Sequence, residues 1–505
     1  MRDYPTELLT NSQMSEADAL TLDTGMSGLA LMERAGAAVA DAARQILVAK
    51  GGRNVVIVCG PGNNGGDGFV AAQLLKNMGY SVEAGLLGTK AILKGDAAQA
   101  AARWTGRIGS AALVNLDEAD LVIDALFGAG LARDIDGRAL AIIERINQWR
   151  IDTGKPVLAV DMPSGVDGDT GAVRGVAIKA DASVTFFRLK PGHVVLPGRD
   201  LCGRLVLEDI GIMPKVLQVI APATRVNAPE SWLPLLPVPQ INGHKYLRGH
   251  ALVLSGPAHQ TGAARLAAGA ALRAGAGLVS VAAQKDAIAA NAAHLTAVMI
   301  APFEGEGGFR ALLDDRRKNA VAIGPGAVVG TFTASLAAMA LEHPNAPAMV
   351  LDADAITSFE ASPEALFSLI KARTAPVVLT PHEGEFVRLF GAAPGASGPR
   401  IQLARMAAIR SGATICLKGP DTIVAAPDGR CSVMGEATPW LATAGSGDVL
   451  TGIVTGLLAQ RMPAFEAASA GVWMHACAAR LFGPGLVADD LAAMMPAVWQ
   501  KLKAG

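Results

Sequence analysis

The stretch Gly60-Pro61-Gly62-Asn63-Asn64-Gly65-Gly66-Asp67-Gly68 constrains what this chain can fold into more than any other. An apolar run, Val55-Val56-Ile57-Val58-Cys59, leads into it, and a helix-like segment from Phe69 to Met78 follows. Strand, glycine-rich turn and helix, in that order, aim backbone N–H groups at an anion. Five glycines in nine residues let the main chain approach a ligand and adopt positive φ. No lysine follows the glycines, and the pattern is neither of the common dinucleotide or triphosphate loops. Asn63, Asn64 and Asp67 supply amide and carboxylate oxygens instead, which suit a hard cation or a polar ligand. The loop is a binding site.

Further strand-like runs carry polar residues at the same end. Leu121-Val122-Ile123 runs into Asp124 and the loop Gly128-Ala129-Gly130-Leu131, and Val157-Leu158-Ala159-Val160 runs into Asp161-Met162-Pro163-Ser164-Gly165. Helical segments between them, including one over 28–50, predict a parallel sheet with right-handed crossovers. Ligands bind such sheets at the carboxyl edge. A single aspartate there could be a cap or turn residue, whereas three polar loops on one edge point to a site. Asp167 and Asp169 read as turn residues, because no bidentate glutamate follows at calcium-loop spacing. Ser15-Glu16-Ala17-Asp18 reads as a capping box.

A length of 505 residues implies two or three domains, and 51% hydrophobic residues are enough to bury large cores. A net charge of −1 gives no electrostatic case for nucleic acid or an anionic membrane. The five cysteines are scattered and form no C-x-x-C pair, which fits free thiols in a reducing cytoplasm. No apolar run of about 18 residues predicts a membrane span, and the first residues lack a signal core.

Between Gly211 and Pro239 prolines recur at 214, 222, 229, 234, 237 and 239. No helix runs through such a segment, so it is a semi-rigid linker or a wrapped connection. It divides the chain into domains at 1–220 and 221–505. Beyond it strands at 251–254, 278–281, 321–323, 349–351, 377–379 and 415–417 predict a second α/β sheet, with a helix from 261 to about 273. Its second constellation is Thr443-Ala444-Gly445-Ser446-Gly447-Asp448, which opens another helix. Free N–H groups at a helix start hold negative charge, and Asp448 beside them can accept a proton from a hydroxyl attacking phosphorus. Alone the motif could be a dipole-stabilising carboxylate; Gly324-Pro325-Gly326 and Lys418-Gly419 on the same sheet edge favour the site.

The first half resembles the NAD(P)H-hydrate epimerase family at Leu31-Met32-Glu33-Arg34-Ala35-Gly36, the nonapeptide, 124–131 and Asp161-Met162-Pro163-Ser164-Gly165. The second half resembles the ADP-dependent NAD(P)H-hydrate dehydratase family. Its matching stretches include 261–264, 273–278, 324–326, Thr380-Pro381-His382-Glu383-Gly384-Glu385, Lys418-Gly419 and 444–452. One departure is Glu436-Ala437-Thr438-Pro439-Trp440, where the family has a glycine-asparagine-rich loop.

The resemblance implies a Rossmann-like amino-terminal domain and a ribokinase-like carboxyl-terminal domain. It implies that they repair NADHX and NADPHX, cofactors hydrated at C6. The first domain would interconvert the epimers, with Asp161 as acid/base. Asn63, Asn64, Gly65, Gly66, Asp67, Gly128, Ala129, Gly130, Leu131, Ala132, Arg133 and Asp134 would bind substrate there, and Asn64, Asp124 and Ser164 would coordinate potassium. The second would dehydrate one epimer with ADP and Mg2+. Asp448 would be its base, and Gly262, Ala263, Gly326 and His382 would line the hydrate pocket. Lys418, Gly419, Pro420, Asp421, Thr422, Gly445, Ser446 and Gly447 would hold ADP. A homo-oligomer is expected. Two rival readings are a vitamin or sugar kinase with a ligand-binding appendage, and a binding module that scaffolds; Asp161 beside a complete nonapeptide speaks against the second.

Overall fold

The computed structural model describes residues 4–131, 133–391 and 399–504. The chain forms two compact units that part after Thr224.

Among its described residues the first unit is built on seven strands: β1 (Asn54–Cys59), β2 (Ser81–Leu86), β3 (Ile108–Ser110), β4 (Leu121–Ala125), β5 (Val157–Val160), β6 (Ala182–Phe186) and β7 (Arg204–Glu208). They pair in the order β3-β2-β1-β4-β5-β6-β7, every pair parallel. The order reverses between β1 and β4, which makes a crevice at their carboxyl ends. Two-residue alternation splits β1 between two cores. Val55, Ile57 and Cys59 pack with helices α2 (Gly28–Lys50), α3 (Asn63–Asn77) and α4 (Gly95–Arg103), while Val56 and Val58 pack with α5 (Gly137–Thr153). Burial on both faces is why β1, β4 and β5 read as unbroken apolar runs.

Two local expectations need correction. The first helix, α1 (Asn11–Leu22), is capped by Thr10 and Gln13, so the box lies five residues before Ser15 and Asp18. The helix after the nonapeptide begins at Asn63, not at Phe69, with Gly62 as its cap. Glycine is a poor helix former, yet here it allows the first turn of α3 to sit against the sheet. A Cβ on Gly65 would fall 1.9 Å from the Gly60 carbonyl oxygen. Tertiary packing overrides propensity.

Among its described residues the second unit has ten strands: β8 (Thr224–Val226), β9 (His250–Leu254), β10 (Leu278–Ala283), β11 (Met299–Pro302), β12 (Lys318–Ile323), β13 (Ala348–Leu351), β14 (Val377–Leu379), β15 (Thr414–Leu417), β16 (Thr422–Ala425) and β17 (Cys431–Met434). Their order is β11-β10-β9-β12-β13-β14-β15-β16-β17-β8, parallel as far as β15 and antiparallel through β16 and β17. The helices Thr261–Arg273, Ser446–Ala459 and Ala464–Phe482 supply much of its main core. The proline-rich segment is divided: Ile212, Val216 and Ile220 pack into the core of the first unit, and from Arg225 the chain wraps over the second. Trp232 is buried edge-on to Trp473 and donates to Asn227, whose Nδ2 donates to the Ser469 carbonyl. Residues 238–247 are exposed. No described helix is long and apolar enough to cross a membrane, and all five cysteines are buried and free.

Candidate functional sites

A cavity of about 760 Å3 opens at the β1/β4 crevice of the first unit. Gly60 lies where the ends of β1 and β4 approach each other. A Cβ there would fall 1.8 Å from the Leu126 carbonyl oxygen, so only glycine lets the two strand ends meet. Asn63, Asn64, Asp67, Gly128, Ala129, Gly130, Leu131, Arg133 and Asp161 line the cavity. Gly65 and Gly66 are buried in packing, Asp134 is not among the lining residues, and Ala132 lies outside the described residues.

Asp161 follows β5 at φ 64°, a conformation costly for a residue with a Cβ. Its Oδ1 accepts from Lys190 Nζ at 2.5 Å and from Thr185 Oγ1 at 2.9 Å, and its Oδ2 accepts from the Ala129 N–H at 3.2 Å. Burial alone would raise its pKa, but the Lys190 ammonium and these donors hold the carboxyl below its usual range. Its backbone oxygen meets His193 Nε2 at 2.9 Å, and burial drives that imidazole down to about 4. Asp67 is raised well above its ordinary value by burial, and then by the negative charge of Asp161 and Asp18.

Asp124 and Ser164 lie behind the cavity wall. Ser164 donates its hydroxyl to Asp124 Oδ1 at 2.6 Å and its N–H to Oδ2 at 2.7 Å, and Leu126 N–H also reaches Oδ1. Burial still pushes Asp124 up to about 6, and no ion pair to it forms among the described residues. Asn64 faces the same region. A Cβ on Gly128 would lie 3.0 Å from Asn64 Oδ1 and 3.3 Å from Asp161 Oδ2, so the missing side chain leaves a cradle between two oxygens.

The second site gathers at the carboxyl edge of the second sheet. Asp352, just after β13, is buried and accepts from Lys418 Nζ at 2.7 Å and Thr451 Oγ1 at 2.6 Å. Lys418 follows β15, and its Nζ lies 3.4 Å from the point where a Cβ on Gly447 would sit. The lysine therefore underlies the amides that open the helix Ser446–Ala459. Ser446 is itself held by a 2.9 Å hydrogen bond to the Leu441 carbonyl, beside the departing 436–440 loop. Asp448 is half-buried; burial and then the charge of Asp352 raise it to about 6 against the pull of Lys418. His382 connects to this cluster, its Nε2 being 3.2 Å from Glu385 Oε1, with Glu385 Oε2 3.9 Å from Lys418.

Ala263 and Gly326 come together, 3.3 Å separating the Ala263 Cβ from a Cβ position on Gly326. The loop 419–422 is closed by Thr422 Oγ1 donating to the Gly419 carbonyl at 2.8 Å. Asp421 is buried against Arg400, so it offers a ligand its backbone and not its carboxylate.

Residues 28–192 match the family model described as YjeF-related protein N-terminus, and residues 251–495 match that described as NAD(P)H-hydrate dehydratase. A bifunctional NAD(P)H-hydrate repair enzyme from Moorella thermoacetica is 36% identical over 525 residues, covering 98% of this chain and 97% of its own. This chain belongs to the bifunctional NAD(P)H-hydrate repair enzyme family. A member from Coxiella burnetii is 34% identical across 96% of this chain and 98% of its own. Among solved structures, the ADP/ATP-dependent NAD(P)H-hydrate dehydratase from Bacillus subtilis, co-crystallised with ATP and Mg2+, is similar to the second unit. It is 28% identical, covers 55% of this chain and 98% of its own, and has a TM-score of 0.47.

In this member of the repair family, sequence reasoning missed Lys190, Thr185, Asp18, Asp352 and Glu385. Lys190 and Asp352 each follow a strand at the same carboxyl edge as the recognised residues. That position was the available signal.

Proposed function

We propose that the chain repairs hydrated NAD(P)H in two steps, epimerising the C6 hydroxyl in the first unit and dehydrating one epimer with ADP in the second. The observation that carries this reading is Lys418, paired with Asp352 beneath the Gly445–Gly447 amides with Asp448 adjacent. Hydroxide is a poor leaving group. Asp448 would accept the C6 hydroxyl proton while that oxygen attacks the terminal phosphorus of ADP, and AMP departs. Loss of phosphate from C6 and a proton from C5 then restores the dihydronicotinamide ring. Lys418 and the helix-start amides would stabilise the transferring phosphoryl group.

Asp352, Asp354 and Glu385 lie near enough to Asp448 to act on its charge, with Lys418 among them, which fits Mg2+ bound chiefly through nucleotide phosphates and water. When bound, that ion would neutralise charge on the phosphates. No described cluster of three His, Cys, Asp or Glu side chains forms a ready metal cage. In the first unit, buried Asp124 without an ion pair, Ser164, and Asn64 at the Gly128 cradle fit a potassium ion. Such an ion would offset the Asp124 charge and hold the substrate's polar groups. Asp161, ionised beside Lys190, would act as the base on the hydrate hydroxyl.

The proposed assembly is a homo-oligomer acting in the cytoplasm on NADHX and NADPHX. Mixed hydrate epimers supplied with ADP should regain the absorbance of NAD(P)H completely, and AMP should appear in equal amount. Phosphorylated product that accumulates without NAD(P)H would establish the kinase alternative instead.

A further inference from the structure

Helix α1 forms one wall of the first cavity. Asn11, Met14, Asp18 and Leu22 line it at intervals of three or four residues, so one helical face looks inward. The helix is anchored to the loop that serves Asp161. Asn11 Nδ2 donates to the Ala129 carbonyl at 2.7 Å, and Ala129 gives its own N–H to Asp161 Oδ2. The Asn11 N–H also donates to Asp169 Oδ1 at 2.6 Å. Asp18 thus enters the cavity from α1, while Asp161 and Lys190 enter from the sheet edge. The other charged groups lining the cavity are Asp67 on α3, Asp96 on α4 and Arg133.

We propose that Asp18 is a second catalytic residue of the epimerase, passing a proton to and from the ring nitrogen while Asp161 serves the hydroxyl. The inference rests on the reading of Asp161 as base given above. The two carboxylates are displaced in opposite directions: burial raises Asp18 to about 6 although Lys190 opposes it, whereas Asp161 is held low. Groups so separated within one cavity divide into acid and base.

The substrate carbon carries both a hydroxyl and the ring nitrogen, so it can open without any co-reactant. Asp161 takes the hydroxyl proton, the oxygen pair forms a C6 carbonyl, and the C6–N1 bond breaks. Its electron pair passes to N1, which receives the proton of Asp18. Rotation about C5–C6 presents the other face of the aldehyde. N1 then re-forms the bond, returns its proton to Asp18, and Asp161 protonates the oxygen. Nothing is oxidised, reduced or lost.

The test uses the full-length protein with one purified hydrate epimer. Asp18→Asn should slow epimerisation by about 10²-fold or more, while ADP-dependent dehydration of the competent epimer is unchanged. In the parent the rate should fall as pH rises through about 6 and Asp18 ionises; in Asp18→Asn that limb should vanish. Asp18→Glu should retain activity with the limb displaced, which covers the case in which the amide variant fails to fold. A single turnover in 18O-labelled water should yield the other epimer with its original oxygen, because ring opening never expels it. Epimerisation within a few-fold of the parent in Asp18→Asn, an unmoved limb in Asp18→Glu, or solvent oxygen in the product overturns the proposal. Asp161→Asn measured alongside separates the two readings. Loss there with a normal Asp18→Asn removes Asp18 alone, whereas activity in Asp161→Asn removes the assigned base.

Discussion

Lys190 Nζ lies 2.5 Å from Asp161 Oδ1, and both are served by Thr185 Oγ1. The pair is buried, so the lysine does more than position its partner. It sets the charge state of the carboxylate that faces the cavity.

Lys190→Met should therefore raise the pKa of Asp161 and remove much of the base at neutral pH. Epimerisation should fall, and its acid limb should move to higher pH. Leaving a buried carboxylate unpaired costs about 3 kcal/mol, readable as a lowered midpoint in denaturant. The sign follows from the depressed folded pKa of Asp161. Its stabilising contribution is present above the unfolded value and is lost as pH falls through the folded one. The variant should accordingly lose part of the parent's acid sensitivity.

Asp124 has the opposite sign. Its folded pKa is raised to about 6 by burial, so the native state holds the extra proton between about pH 4 and pH 6. Stability should fall as pH rises across that window, by on the order of 3 kcal/mol for a shift of this size. Potassium bound to the ionised group should offset the loss. Thermal melts in potassium chloride against a bulky organic cation should diverge as pH rises above about 6. Asp124→Ala should erase the divergence and the potassium-dependent epimerisation, while dehydration of the competent epimer continues. A melt equally sensitive to potassium in that variant would remove Asp124 from the cation site.

Limited proteolysis should cut within 238–247, where the chain is exposed, and spare 227–236, where Trp232 and Asn227 are packed into the second unit. Two fragments should result, the amino-terminal one carrying 225–237, which pack in the second unit, so the two should stay associated until denatured. Early cuts within 60–200 would contradict that division.

Much of the architecture was legible because buried parallel strands write themselves as short apolar runs ending in Gly, Asp or Pro. The capping box was misplaced because Thr10-x-x-Gln13 and Ser15-x-x-Asp18 offer the same pattern within five residues, and packing of the α1 face decides between them. The start of α3 was hidden by glycines that local propensity excludes from a helix. Asp161, Asp124 and Asp448 could be found because each stands beside a distinctive turn. Lys190 was marked only by its place beyond a strand end, and Asp18 by nothing of the kind. They come from segments 172 residues apart and meet Asp161 only when α1 and the end of β6 close on one crevice.

Asp448→Asn should eliminate dehydration while ADP binding and epimerisation persist. The carboxyl is raised to about 6 by burial and by Asp352, so the parent's dehydration rate should climb through that pH and then level as the base ionises. An amide keeps the size of the side chain and caps a helix about as well as aspartate. It cannot take up the hydroxyl proton. Removing a general base typically costs about 10²–10⁴-fold in rate, far more than a change at a helix start. Calorimetry with ADP and single-turnover recovery of NAD(P)H on the same sample separate binding from chemistry. If Asp448 only stabilises the helix dipole beside Gly445–Gly447, turnover will stay within a few-fold of the parent and the pH dependence near 6 will survive. A flat, nearly silent profile with normal ADP affinity is the outcome expected of the base.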